Sequence, residues 1–453
     1  MSVTLGFYGG VGSVTGANFV LDTGAAAFMI DCGLMQGDRF AQTQNAEPFT
    51  YDPAHIDVVL LTHAHADHIG RVPKLLRDGF QGVIYSTSAT KALAAVMLRD
   101  ALAVMEYERE RYGTTPIYEA GDIEAALARW QVVEYHEMMT LPDDFTARFT
   151  DAGHILGSAM VHLSRAGKTI VFTGDIGNVP QPLLSAPEIP TDYDYLVMES
   201  VYGDRSHEGV AERTELLREY IEMARARQGT LIIPAFSLER TQAMLYEINN
   251  LVENGRMAPL PVFLDSPLAI EVTSLYREYI RYLRPDVQEQ IKHGDDIFSF
   301  AGLSFTRTVK ESSEIDEVTG PKVIIAGSGM SHGGRIRRHE RRYLDDPRTI
   351  VLLVGYQSVG SIGRLLQDGA QKVIIDDDEV KVRATIARIS GYSGHADRDQ
   401  LLEFVAKGSD KAKGIYVVMG EERASLFLTQ RLRDYLGAPA SAPGAGEEVV
   451  IDI

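Results

Sequence analysis

The sequence predicts an α/β protein in two parts: one domain assembled from both ends of the chain, and a second α/β domain inserted into it. Three observations predict this. Residues 1–207 mix short strands and helices, with polar residues of chemical interest where strands end. Residues 208–373 change to a regular alternation of helix and strand. Residues 374–453 return to short strands of the first kind.

In chain order, residues 3–31 read as three short strands with glycine turns, VTLGFYGG, ANFVLD and AAFMIDCG. The run 56–62, IDVVLLT, is apolar and β-branched throughout, as a strand covered on both faces is. It stops at a histidine cluster. An amphipathic helix over 69–77 follows, closed by Gly79, and 83–86 is another buried strand. Residues 88–130 carry Ala, Leu, Met and Glu–Arg pairs at helical spacing. Strands return at 145–150, 159–164, 169–173 and 195–198, the last ending at Glu199. In the inserted part, helices over 211–227 and 238–254 precede strands at 230–234 and 262–265, with later strands at 322–326 and 349–354. The segments KVIID, KVRATIARI, GIYVVMG and EVVIDI are assigned to the first domain by their texture.

Composition narrows the function classes. The chain has 453 residues, 45% apolar and 24% charged, ordinary for a globular protein with a large core. No run approaches the ~20 apolar residues of a membrane span, so no membrane partner is expected. The opening MSVTLGFYGG lacks the basic and apolar regions of a signal peptide. Cys32 is the single cysteine, which excludes an intrachain disulfide and fits a reducing, cytoplasmic location. A net charge of −19 argues against non-specific coating of nucleic acid. It is compatible with a nuclease, because bound metal ions or a local basic patch attract phosphates. One such patch is Arg335, Arg337, Arg338, His339, Arg341 and Arg342; it reads equally as a solvated helix face.

The strongest chemical signal is His63-Ala-His65-Ala-Asp67-His68. It gathers nitrogen and oxygen ligands within six residues, just past a buried strand where side chains converge. The spacing points to two metals, with His63 and His65 on one and Asp67 and His68 on the other. Further ligands must come from other strand ends. His154 in DAGHILGSA, Asp175 in TGDIGN and His395 in GYSGHADRD each follow strands and lie among glycines, which let the backbone approach an ion. Taken singly, each is better explained by a structural hydrogen bond. Asp31 in MIDCG is either a turn or helix cap or an acceptor that orients a ligand histidine. The loop GSGMSHGGR, with Ser328, Ser331, His332, Arg335 and Arg338, is either a plain strand-to-helix turn or a phosphate-binding loop.

Together these residues resemble the metallo-β-lactamase superfamily and, within it, the β-CASP nucleases. The likeness rests on the ordered series Asp31, His63-x-His65-x-Asp67-His68, His154 and Asp175. Glu199 in MESVYGDR, the phrase AGSGMSHGGR and His395 in GYSGHAD extend it to nearly the whole chain. It is strongest towards bacterial and archaeal relatives of the pre-mRNA 3′-end cleavage endonuclease. The resemblance implies a four-layer αββα sandwich carrying an inserted α/β β-CASP domain. It implies two zinc ions, one on His63, His65 and His154, the other on Asp67, His68 and His395, with Asp175 bridging. Manganese remains an alternative, whereas diiron relatives carry glutamate where His65 stands. The catalytic group would be Asp67, Asp175, Glu199 and His395, with Glu199 orienting either a leaving-group donor or His395. A hydroxide shared by the ions would attack phosphorus in line, leaving 5′-phosphate and 3′-hydroxyl ends by endonuclease or 5′-exonuclease action. A histidine at the position of His395 goes with RNA, so RNA is the implied partner; a homodimer is allowed. Two rival readings are a metal-free RNA-binding subunit and a small-molecule hydrolase of the superfamily.

Two departures from the family pattern stand out. Where eukaryotic members have a histidine after a Gly-Tyr turn, Gly355-Tyr356 here leads to SIGRLLQ, with Arg364 or Leu365 in its place. Where many relatives have His-Gly-Glu, this chain has Met419-Gly420-Glu421.

Overall fold

The computed structural model describes every residue except 1, 38–40, 208–211, 356, 359 and 409. Tyr356 of the Gly-Tyr turn therefore lies outside the described residues. The chain forms two units: Met1–Val179 with Leu184–Ser206 and His395–Ile453, and Pro180–Leu183 with His207–Gly394.

In the first unit the strands are β1 Ser2–Gly9, β2 Asn18–Asp22, β3 Ala27–Ile30, β4 Val58–Leu60, β5 Val83–Ser86, β6 Trp130–Val132, β7 Met138–Thr140, β8 Thr146–Asp151, β9 Ala159–Arg165, β10 Lys168–Phe172 and β11 Tyr195–Met198. The second unit contributes β12 Thr230–Pro234, β13 Val262–Leu264, β14 Leu303–Phe305, β15 Lys322–Ala326, β16 Ile350–Leu353, β17 Lys372–Ile375, β18 Asp378–Lys381 and β19 Thr385–Arg388. The chain then returns to the first with β20 Gly414–Val417, β21 Ala440–Ser441 and β22 Glu448–Asp452.

The first unit is built on two seven-stranded sheets, ordered β22-β1-β2-β3-β4-β5-β6 and β21-β20-β11-β10-β9-β8-β7. They face each other across one core. Phe7, Phe19, Phe28 and Leu60 come from the first sheet, and Phe149, Val161, Ile170, Phe172 and Val197 from the second. Alternate residues of the second sheet, Met160, Val171, Leu196 and Met198, turn the other way. They pack under Leu401, Phe404, Leu428 and Leu432 of two helices. A strand buried on both faces needs apolar residues at every position, which is why β4 (Val-Val-Leu) and β11 (Tyr-Leu-Val-Met) read as unbroken apolar runs. Helices in the segments Ser88–Tyr112 and Ala120–Arg129 cover β5 and β6. This is the expected αββα sandwich.

The second unit holds a six-stranded sheet, β14-β13-β15-β12-β16-β19, in which every pairing is parallel. A separate β17–β18 hairpin lies beside it in the order of the chain. Here the expected boundary at residue 374 differs from the structure. Thr385–Arg388 pairs with β16, so the segment up to Gly394 stays with the second unit. The strands in this stretch are short and half charged, and their texture does not reveal which sheet receives them.

Phe172 joins the sheets through the stacked Phe19 ring, with centroids 6.3 Å apart. Phe172→Ala is expected to cost about 3–5 kcal/mol, read as a lower urea midpoint with an unchanged slope; an unchanged midpoint would contradict the two-sheet core.

Candidate metal centre

The strands of the first unit set the direction of every candidate ligand. β3 and β4 are parallel, and Asp31 and His63 follow their C-terminal ends. β8 and β10 are both antiparallel to β9, hence parallel to each other and to β11. His154, Asp175 and Glu199 follow their ends. Left-handed glycines turn the chain there, Gly153 at φ 63° and Gly174 at φ 55°. His65 caps the short helix Ala66–Ile69, which places Asp67 and His68 in its single turn. His395 enters from the C-terminal part through a bridge to Gly177.

Four of the expected ligands converge closely. One ligand atom each from His63, His65, His154 and Asp175 lie within 4.8 Å of one another. His65 Nδ1 is 3.0 Å from His63 Nε2 and 3.2 Å from His154 Nε2. Asp175 Oδ2 is 3.4 Å from His63 Nε2 and 3.5 Å from His154 Nε2. Tetrahedral zinc with bonds of about 2.0–2.1 Å separates its donor atoms by about 3.3 Å, so this spacing fits an ion.

The other oxygen of Asp175 faces away from that set. Oδ1 lies 3.3 Å from His68 Nε2. Both atoms are buried, and neither finds a hydrogen-bond partner among the described residues. His395 Nδ1 stands 3.8 Å from Asp175 Oδ2 and 3.2 Å from Glu199 Oε1. Asp175, Glu199 and His395 form a second cluster within 4.8 Å. Asp67 and His68 belong to neither close cluster. Glu199 is itself engaged by the backbone, accepting the N–H of Ile176 at 2.6 Å and of Val201 at 3.2 Å.

Asp31 is not a simple turn residue. It is buried and accepts from the backbone N–H of Thr62 at 2.8 Å, from the Thr62 hydroxyl at 2.8 Å and from His68 Nδ1 at 2.7 Å. A proton on His68 Nδ1 leaves the Nε2 lone pair facing Asp175. Ser158 plays a related part for His154, its hydroxyl accepting the backbone N–H of His154 at 3.0 Å. Sequence reading missed Ser158 and Thr62; their signal was only their adjacency to small residues and to a ligand.

The charges are distributed unevenly. Burial holds His63 and His65 well below the ordinary imidazole range, helped by neighbouring histidines. Burial also disfavours charge on His68, but the carboxylates of Asp175 and Asp31 outweigh it and raise His68 well above that range. Burial pushes Asp175 upward, yet His68, His395 and His63 hold it well below the carboxylate range. Burial drives Glu199 well above that range, with the charge of Asp175 adding to it. Asp67 is pushed up to about 6 by burial, against the pull of His68. His63 and His65 are thereby neutral beside an ionised Asp175, the protonation states metal binding requires, whereas His68 has to release a proton to become a ligand.

The glycine-rich loop belongs to the second unit, and its polar groups are turned inward. The Ser331 hydroxyl is buried and donates to Glu340; Ser328 bonds to Gly333. Arg335 spends its guanidinium on Asp265 at 2.6 Å and on the carbonyls of Thr306 and Arg307. Arg338 bonds to Ser312 O and Asp316. Arg337 pairs with Asp376, and Arg341 with Asp378. The expected phosphate contacts Ser328, Ser331, Arg335 and Arg338 thus each have a partner inside the domain, the serines on neighbours in the sequence and the arginines on distant aspartates. His332 is the exposed member, 3.4 Å from the Ser358 hydroxyl. Arg364, one of the two residues expected in the place of the second β-CASP histidine, pairs with Asp368 at 2.8 Å.

Asp265 is the hub of this second network. Burial pushes its carboxyl upward, but His339, Ser312, Thr306 and Arg335 hold it well below its ordinary range. A depressed carboxylate stabilises the fold above the unfolded value of about 3.9 and loses that contribution as pH falls below it. Arg335→Ala is therefore expected to destabilise the protein by about 3–5 kcal/mol at neutral pH, the gap narrowing below pH ~4. Urea titrations at both pH values check this; a variant as stable as wild type would return Arg335 to the surface.

Comparison with known proteins agrees with this architecture. Residues 20–190 match a metallo-beta-lactamase superfamily domain, 241–366 a Beta-Casp domain, and 379–443 a Zn-dependent metallo-hydrolase RNA specificity domain. A ribonuclease of Thermus thermophilus is 37% identical over 94% of this chain and 95% of its own length. An RNase J-like protein of Methanocaldococcus jannaschii is 29% identical over 98% of this chain and 99% of its own. Transcription termination factor FttA of Methanothermobacter thermautotrophicus is 31% identical over 94% of this chain and 68% of its own. A crystal structure of a protein of unknown function from Enterococcus faecalis shares the fold over all of both chains, with a TM-score of 0.58 at 13% identity.

Proposed function

The chain belongs to the β-CASP family of the metallo-β-lactamase superfamily, and from that premise we propose that it hydrolyses RNA phosphodiester bonds with two zinc ions. The observation that carries this reading is the divided carboxylate of Asp175. One oxygen stands among His63, His65 and His154, and the other faces an unpartnered nitrogen of His68. A complete set of donors weighs against a metal-free binding subunit.

In this proposal His63, His65 and His154 would hold one ion and Asp67, His68 and His395 the other, with Asp175 a ligand available to each. When bound, such ions would supply hydroxide from water near neutral pH and offset charge on the phosphoryl oxygens. The protein's own part is positional. Asp31 keeps the His68 ring turned towards Asp175. Glu199 is the positioning residue for His395, meeting its Nδ1 at 3.2 Å while anchored to the backbone of Ile176 and Val201. His332 is retained as a contact for substrate phosphate. RNA is favoured over DNA by His395 and by the match of its surrounding segment to an RNA specificity domain.

The test uses RNAs labelled at either end, incubated with zinc, with matched DNA alongside. Cleavage of RNA leaving 5′-phosphate ends is expected, abolished by chelation and restored by zinc. His68→Ala and Asp175→Ala should each lose at least about 10²-fold in rate while circular dichroism stays native. Wild-type rates in both variants would reject the mechanism.

A further inference from the structure

We infer that Thr62 is a positioning residue that ties the two halves of the metal centre together, fixing the tautomer of His63 directly and of His68 through Asp31. The inference rests on the two-ion reading of the centre.

Thr62 sits between the end of β4 and the first ligand, and it is 1% exposed. Its hydroxyl oxygen lies 2.8 Å from Asp31 Oδ2, 3.0 Å from His63 Nδ1 and 3.5 Å from His68 Nδ1. Its backbone N–H donates to Asp31 Oδ1 at 2.8 Å. Counting protons fixes the directions. A hydroxyl has one proton to give and two lone pairs, and a carboxylate only accepts. The Thr62 proton therefore goes to Asp31. What remains on the hydroxyl can only accept, so His63 must carry its proton on Nδ1. The His63 lone pair is then on Nε2, the atom 3.0 Å from His65 Nδ1 and 3.4 Å from Asp175 Oδ2.

The same carboxylate oxygen sets the second half. Asp31 Oδ2 also receives His68 Nδ1 at 2.7 Å, which leaves the His68 lone pair on Nε2, opposite Asp175 Oδ1. One hydroxyl and one carboxylate oxygen thus decide which nitrogen is free on two histidines that face different oxygens of Asp175. Buried partners of this kind orient ligand rings and raise their affinity for metal.

A purely steric role for Thr62 makes a different forecast. The side chain packs against Gly174, where a Cβ would fall 2.7 Å from Thr62 Cβ. Valine has nearly the same shape as threonine and would keep that packing, whereas serine would lose the methyl and keep the hydroxyl.

The experiment is a zinc titration of metal-free full-length protein against a chromophoric chelator, for wild type, Thr62→Val and Thr62→Ser. Wild type should bind two ions. In Thr62→Val at least one zinc dissociation constant should rise about 10- to 100-fold, while Thr62→Ser stays within about 3-fold of wild type. Wild-type affinities in Thr62→Val, or a loss in Thr62→Ser as large as that in Thr62→Val, would overturn the inference and leave the two-ion reading intact. Wild type binding fewer than two ions would defeat that reading and this one with it. Should Thr62→Val not fold, nitrogen-15 spectra of histidines in the zinc-loaded wild type decide: a proton on His63 Nδ1 supports the assignment, and one on Nε2 overturns it.

Discussion

A carboxylate withdrawn from water needs positive charge beside it, and the buried carboxylate of Asp175 is the constraint around which this protein is arranged. Asp31, Asp175 and Glu199 are all at most 2% exposed. Desolvating an ion costs several kcal/mol unless its environment compensates. Without a metal, the compensation available is a proton, and His68 is pushed upward by its two carboxylate neighbours for that reason. Divalent ions answer the same demand better. They supply more charge and relieve the buried atoms that lack hydrogen-bond partners, His68 Nε2 and Asp175 Oδ1.

The sandwich makes this concentration of charge tolerable. Its sheets are held by a continuous aromatic and aliphatic core, while the ligands sit on turns after the strands end. Close backbone approach completes the arrangement. A Cβ on Gly33 would fall 1.5 Å from the carbonyl oxygen of Asp67, so only glycine lets the Asp31 turn lie against the Asp67–His68 helix.

Much of this was legible in the sequence because it is local. The string from His63 to His68 announces a metal site by composition, and β4 announces its own burial by having no polar position. Long-range partners were not legible. That Asp31 meets His68 depends on β3 lying beside β4. That Arg335 and Arg338 pair with Asp265 and Asp316 was hidden because those aspartates are far away in the sequence and adjacent only in the fold. The segment before His395 looked like part of the first domain because short charged strands carry no mark of the sheet they join. Thr62 offered no signal beyond its place before a ligand. Its meaning lies in proton counting, which needs distances.

The central claim is that side chains from His63 to His395 enclose two ions on either side of one carboxylate. Anomalous diffraction at the zinc edge, from crystals of protein purified with zinc, tests it most directly. Two peaks about 3.5–4 Å apart are expected, one among His63, His65 and His154 and one beside His68, with Asp175 reaching both. A single peak, or peaks remote from Asp175, would contradict it.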